Sequence, residues 1–366
     1  MSARVRLIPP ARFAEAEPLW RALEAELPLV PVARGWAWAS AWVAAYGDLL
    51  PTSVAVVSGP DGSVWGIALL PRGRRRFGPV TIRSLWIGTA NLPVGSEVCA
   101  EFTGPLARPG REREVVAAIV AAARRWRGWD ELRAEGLAAE DAERLRATWP
   151  AGRVRVREEP SPFCDLGALA PEEDVAAALG SGSARRRART SLRAMAQRGV
   201  VESEWATDPA RAAELLEELI TLHQARWTAD GEPGVFAAPR FAAFHRELAP
   251  RLVAEGRATL FRATVDGRTI GCLYHFLDGE RVLFYQSGLA GFDDNRLRPG
   301  IVTHLLSMEA ARERGLRLYD FLAGDQRYKR DLSSDAATIS GLTLRRRRLR
   351  LALYDGARRA RDRRAG

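Results

Sequence analysis

The 366-residue sequence predicts a mixed α+β protein of about two domains, and three observations carry that reading. The length allows two domains at roughly 150 residues each. Runs rich in β-branched and aromatic residues alternate with alanine- and leucine-rich stretches of helical spacing. Two strong turn signals, Pro60-Asp61-Gly62 and Asp266-Gly267, stand between strand-like runs and predict hairpins.

The elements follow in order. Residues 7–27 predict a helix whose apolar face is Phe13, Leu19, Trp20, Leu23 and Leu27. Gly35–Tyr46 predicts a second, with Trp38, Trp42 and Ala45 at steps of three and four; such a stripe belongs to core more often than to a ligand platform. Ser53–Ser58 and Ser63–Leu70 form a strand pair, Arg72–Arg76 a solvated basic loop, and Val80–Ile87 and Val98–Phe102 further strands. Arg111–Trp126 is helical, Glu131–Glu135 a strand and Asp141–Ala147 a short helix. The polar, proline-bearing Glu158–Pro162 marks a boundary.

Beyond it, Asp174–Leu179 begins a helix, and Ser183–Gln197 is a helix bearing Arg185, Arg186, Arg187, Arg189 and Arg193, with Arg198 just after it. No stacking or base-reading residues interleave, so a solvated face or contact with an anionic acceptor is preferred to RNA binding. Ala210–Trp227 and Phe241–Glu255 are helices. His223, on a half-apolar face of the first, reads as a hydrogen-bonded core residue or a substrate ligand. Ala258–Val265 and Thr269–Leu277 form a hairpin, and Val282–Gly288 adds a third strand.

A charged loop then leads to Pro299 at a first helical position, where its missing N–H costs nothing. Ile301, Leu305, Met308 and Ala311 give this helix a buried face, and Gly315 ends it. Its start, Arg296 to Gly300, is either an anion site built from unpaired amides or the basic, solvated loop of an ordinary crossover. Leu316–Leu322 and Ile339–Leu344 are the last strands. Arg345–Arg364 is a basic helix with Leu349, Leu353 and Ala360 on one side, read as an exposed tail or a membrane-surface contact.

With 47% hydrophobic and 27% charged residues the composition is that of a globular protein. No apolar run approaches the ~18 residues of a membrane span, and no signal-peptide core opens the chain, so a cytoplasmic location is the default. Cys99, Cys164 and Cys272 are too scattered for a disulfide framework, and the histidines lack metal-ligand spacing, so no metal is expected. The net charge of +10 is nearly all arginine and favours anionic ligands. Lys329 is the only lysine, read either as a site that needs a compact ammonium or a movable pKa, or as a chance survivor of a composition that favours arginine. No Ser-His-Asp or Cys-His pattern is evident, consistent with direct transfer to an acceptor without a covalent intermediate.

Four pieces now combine: Tyr285-Gln286-Ser287-Gly288, Arg298-Pro299-Gly300 opening a helix, Tyr319-Asp320-Phe321-Leu322-Ala323-Gly324, and Tyr328-Lys329. In order and spacing they resemble the C-terminal half of the GNAT acyltransferases of the CelD/BcsL type, relatives of the FemABX peptidyltransferases. Where that family usually has Ser-Pro-Gly, this chain has Arg298 before Pro299. The resemblance implies two tandem GNAT-like units, each a mixed sheet flanked by helices: a degenerate unit over 1–160, a catalytic unit over 161–344 and a basic tail over 345–366.

It further implies acyl-CoA, acetyl-CoA foremost, as co-substrate, bound by Tyr285, Gln286, Ser287, Arg296, Arg298, Pro299, Gly300 and Ile301. Asp320 would serve as base or amine ligand, or else as a buried structural carboxylate, with Asp325 second. Lys329 would stabilise negative charge or bind an acidic acceptor, and Tyr328 would shape the pocket or donate to the leaving thiolate, or else serve only in packing. His223, Arg226, Trp227 and Gly324 would face the acceptor, an amine such as an amino sugar or cell-envelope precursor. Two alternatives stand beside this N-acyltransferase: transfer from aminoacyl-tRNA in the FemABX manner, and a non-catalytic binding protein that keeps the fold.

Overall fold

The computed structural model describes residues 3–356 apart from 79, 91–97, 99 and 295. Two compact units divide the chain: Met1–Leu92 and Val98–Glu158 form one together with Ile339–Gly366, and the other is built on Glu159–Thr338. The last strand from Ile339 and the helix after it therefore fall with the first unit.

In chain order the first unit contains β1 (Arg4–Ile8), α1 (Glu17–Ala25), α2 (Trp36–Tyr46), β2 (Thr52–Ser58), β3 (Val64–Phe77), β4 (Val80–Trp86), β5 (Leu106–Ala107), α3 (Glu112–Arg125), β6 (Glu131–Ala138) and α4 (Ala139–Arg146). There follow β7 (Val154–Asp165), α5 (Gly182–Ala196), β8 (Val201–Ala206), α6 (Pro209–Ala229), α7 (Pro239–Ala254), β9 (Ala258–Val265), β10 (Arg268–Asp278) and β11 (Arg281–Leu289). The chain continues with α8 (Pro299–Glu313), β12 (Leu318–Asp320), α9 (Arg327–Asp331) and β13 (Asp335–Arg345).

The first unit's sheet runs β1-β2-β3-β4-β6-β13, with β5 alongside β3. β4 and β6 are parallel and the other pairs antiparallel, so the sheet is mixed. Its core joins β-strand valines and leucines to the buried face of α3. Trp36, Trp38 and Trp42 of α2 are all buried, which makes that stripe core.

Several elements differ from the sequence reading. Leu7 and Ile8, placed at the start of a helix, belong to the strand Arg4–Ile8, which pairs with Ser58 to Val54. The basic stretch Arg72–Arg76 is strand, not loop: it pairs residue by residue with Leu85 to Thr81, so the ladder satisfies its backbone while the four arginines remain exposed. The described residues of Val98–Phe102 are not a strand, and Cys99 lies outside the described residues.

The second unit's sheet runs β7-β12-β11-β10-β9-β8. Only β11 and β12 are parallel. Pro160 and Pro162 lie inside β7 rather than in a linker, and their carbonyls accept the amides of Gly324 and Phe321. Sequence reading also missed β8 and α9, and it drew Leu316–Leu322 as a strand where only Leu318–Asp320 pairs.

α5 and α8 cover one face of this sheet, burying Val302, Leu305 and Met308 against Phe261, Leu273 and Phe284. Each such side chain contributes about 1.5–3 kcal/mol on removal from water. α6 lies against the opposite face so closely that a Cβ on Gly288 would stand 2.2 Å from the Leu219 carbonyl oxygen.

Candidate functional site

The site begins with a strand pairing that stops short. β12 meets β11 only from Leu318 opposite Arg281 to Asp320 opposite Leu283. On its other side β11 stays paired with β10 as far as Leu289. The pairing with β12 ends at Leu283, and among the described residues no strand pairs with that edge of β11 from Gln286 to Leu289. There the backbone of Gln286 to Leu289 offers the register for a ligand that adds itself as an extended chain. A bulge lies at the same point: Tyr274 faces Gln286 and His275 faces Phe284, leaving Tyr285 as the extra residue.

The bulge sorts the predicted donor residues by face. The Phe284 ring stands edge-on to His304 of α8, 4.6 Å between centroids. The Tyr285 hydroxyl instead bonds His245 Nε2 of α7 at 3.1 Å. Gln286 and Ser287 are half-buried on the stretch without a β12 partner.

α8 starts at the Leu289 end of the opening. Arg298 is its N-cap in a left-handed conformation (φ 31°, ψ 67°), and no side chain caps the helix. Pro299 has no amide proton, while the amides of Ile301 and Val302 both donate to the Arg298 carbonyl. Among the described residues the Gly300 N–H is left without an acceptor, so the helix start offers fewer free donors than the sequence suggests. A Cβ on Gly300 would stand 3.0 Å from a methyl of Leu289 and meet nothing else, which leaves the approach to this amide open. Arg296 is exposed, yet its guanidinium is bound to Asp294, which also pairs with Arg198. These hydrogen bonds hold the Asp294 carboxyl well below the usual carboxylate range.

The far wall is the turn after β12. Asp320 is fully buried; Oδ1 accepts the Ser161 hydroxyl at 2.9 Å and the Leu322 amide at 2.8 Å, while Oδ2 accepts Arg281 at 2.5 Å. Both oxygens are engaged, and the buried side chain presents no surface to a ligand. Leu322 sits in the left-handed region at φ 60°, a strained conformation for a branched residue. Lys329 is 7% exposed and drives its Nζ into the carbonyls of Leu322 (3.2 Å) and Ala323 (2.6 Å). Gly324 at φ 128° allows the next bend, where a Cβ would meet Gln326 Oε1 at 2.4 Å. Asp325 is exposed and tied to Arg330.

His304 joins the two walls, and sequence reasoning did not single it out. Its Nδ1 bonds the Tyr319 hydroxyl at 2.9 Å, and its ring stacks on Tyr328 at 6.0 Å and 20° and meets Phe321 at 5.3 Å. Burial, aided by the Lys329 charge, pulls His304 down to about 3, so it is neutral at physiological pH. Behind it the His275 Nε2 shares a hydrogen bond with Ser307 at 2.9 Å. Tyr328 as a whole is 40% exposed, yet desolvation of its phenol pushes it up to about 12, and the charge of Arg226 acts in the opposite direction.

That coupling brings the end of α6 within electrostatic reach of Tyr328. Arg226 is exposed and Trp227 is 44% exposed. His223 is buried beneath them, stacked on Trp227, bonded to Gln224, and pulled down by desolvation. Burial raises the Cys164 and Cys272 thiols to about 12, which removes them as nucleophiles. Among the described residues no group of three His, Cys, Asp or Glu stands ready to hold a metal. No helix among them is long and apolar enough to cross a membrane.

Residues 182–330 match the family described as an acetyltransferase (GNAT) domain. Three solved structures share the fold across most of this chain. FemX is 12% identical with a TM-score of 0.58, covering 92% of this chain and 96% of its own. L-PGS from Bacillus licheniformis is 12% identical at 0.55, covering 92% and 94%. A conserved protein of unknown function from Bacteroides thetaiotaomicron VPI-5482 is 11% identical at 0.56, covering 91% and 97%. No curated protein sequence matches the chain. The mixed sheets flanked by helices are the fold class expected from the sequence, and the matched segment holds α5 through α9, both walls of the opening included.

Proposed function

We propose that the second unit is an acyl-CoA-dependent N-acyltransferase of the CelD/BcsL kind, acting on an amine of an amino sugar or cell-envelope precursor. The observation that carries this reading is the end of the β11–β12 pairing at Leu283, beside the start of α8. The family match over 182–330 supports it. When bound, the donor supplies a thioester carbonyl and a diphosphate. Gly300, Arg298 and Arg296 would take the diphosphate, Arg296 exchanging its hold on Asp294 for the phosphate. The edge amides of Tyr285 to Ser287 would polarise the carbonyl.

In the transfer itself, the acceptor nitrogen bonds the carbonyl carbon, the C–S bond breaks, and the proton lost by the nitrogen passes through water to the leaving thiolate, giving amide and free thiol. Aligning the two substrates can supply up to about 7–11 kcal/mol of the barrier. Tyr328 would stabilise the leaving sulfur by donating a hydrogen bond. A phenol at about 12 holds its proton more tightly than an ordinary thiol, so a complete transfer from Tyr328 is uphill. Lys329 holds the Leu322–Ala323 turn and places positive charge beside it. Asp320 positions that turn and is not the base. Arg226 and Trp227 form the acceptor's rim.

A second reading, transfer from aminoacyl-tRNA, draws on the likeness to FemX. On α5, Arg187 and Arg189 are already paired with Asp331 and Asp174, which leaves less of that helix for a phosphate backbone. Calorimetry with acetyl-CoA, longer acyl-CoAs and charged tRNA separates the readings. CoA-ester binding weakened by a bulky residue at 300 supports the first; steeply salt-dependent tRNA binding alone replaces it with the second. Binding of neither indicates a protein that retains the fold without catalysis.

A further inference from the structure

The positive charge is concentrated at the C-terminal end of the sequence. Residues 345–366 hold ten arginines against two aspartates, eight of the chain's ten net positive charges. Within this stretch residues 349–356 are helical. One side of that helix is anchored to the first unit: Leu351 is buried, Arg350 pairs with buried Asp130 at 3.0 Å, and Asp355 receives Arg345 and Arg155 at 2.6 and 2.9 Å. Tyr354 lies under the guanidinium of Arg75. The other side is Leu349, Ala352, Leu353 and Gly356, spaced three and four apart and all exposed, Leu349 at 80% and Leu353 at 56%.

An exposed leucine pair is ordinary on its own. Here Arg345, Arg346 and Arg350 are engaged on the docked side, and exposed Arg347 stands two residues before Leu349. Arg347 is exposed and makes no ion pair among the described residues. Apolar side chains flanked by cations suit a surface with anionic headgroups above hydrocarbon. A nucleic-acid backbone would use the arginines and leave the leucines in water. We propose that the face bearing Leu349 and Leu353 docks the protein onto an anionic lipid bilayer, the leucines entering the acyl boundary and the arginines lying among the headgroups. This surface is independent of the acyl-transfer reading.

Flotation of the full chain with phosphatidylcholine vesicles, and with phosphatidylcholine–phosphatidylglycerol vesicles, tests it. The expected result is partitioning at least about tenfold stronger onto the anionic vesicles, reduced by salt. Leu349→Glu with Leu353→Glu should lower that partitioning about tenfold while thermal stability stays unchanged, both positions being exposed. Leu349→Phe should strengthen it. Equal binding to neutral vesicles overturns the proposal. So does loss of binding through Arg347→Ala but not through the leucine variants, together with displacement by RNA, which assigns the surface to nucleic acid.

Discussion

Replacing Asp320 with Asn separates a carboxylate that does chemistry from one that builds the site. The side chain is fully buried and accepts three hydrogen bonds, from Ser161, Leu322 and Arg281. Asn can keep the first two by turning its carbonyl toward them, which points its NH2 group at the Arg281 guanidinium. A hydrogen bond to a charged group contributes about 1.5–3 kcal/mol. Breaking a fully buried ion pair costs about 3–5 kcal/mol, but the Arg281 side chain is 35% exposed and water recovers part of that cost. The expected destabilisation is therefore about 2 kcal/mol, read from urea midpoints at an unchanged m-value. Turnover should fall because the Leu322 turn loosens, with CoA-ester affinity within about twofold and the pH dependence of kcat keeping its shape. Stability unchanged to about 0.5 kcal/mol, with the acid limb of the kcat profile gone, would refute the positioning role and restore Asp320 as the base.

The other expectations concern the two walls and the histidines between them. Lys329→Ala should lower kcat about 100-fold with calorimetric donor affinity nearly intact, and Lys329→Arg should fail to rescue it. Gly300→Leu should weaken acetyl-CoA binding about tenfold without shifting Tm, since little but Leu289 crowds the position. Burial holds His245 and His304 near 3, below their unfolded value, so the unfolded chain takes up protons first as pH falls. Their contribution is complete above about pH 6.5 and is lost toward pH 3, at about 1.4 kcal/mol per pH unit for each. His304→Gln should therefore flatten the acid side of a stability–pH curve measured by urea unfolding.

Local signals located what is locally determined. Asp266 and Gly267 both take positive φ (46° and 74°), the backbone of a tight hairpin, and that hairpin was legible from two letters. Pro299 and the apolar spacing after it placed α8 to the residue at its start. The strands that escaped are polar or proline-bearing. β1 carries two arginines, β7 two prolines and four charges before them, and β8 two glutamates. Their pairing supplies backbone hydrogen bonds that no side-chain pattern announces. The opening is a register property: it exists because β12 stops at Asp320 while β11 runs on to Leu289, and no motif within either strand encodes that difference.

The solitary lysine shows why part of the site could be read and part could not. In a chain whose other cations are arginines, Lys329 signalled a need for a compact ammonium. Its Nζ fits between two carbonyls of a turn that Leu322 enters with a strained backbone, a space that a planar five-donor fork does not match. His304 gave no comparable signal, because a single histidine among apolar helix neighbours reads as core, and by burial it is core. Its position becomes informative only when Phe284, Phe321 and Tyr328 arrive around it from three other segments. Composition can reveal a residue whose chemistry resists substitution; a residue that matters through its neighbours emerges only from the packing.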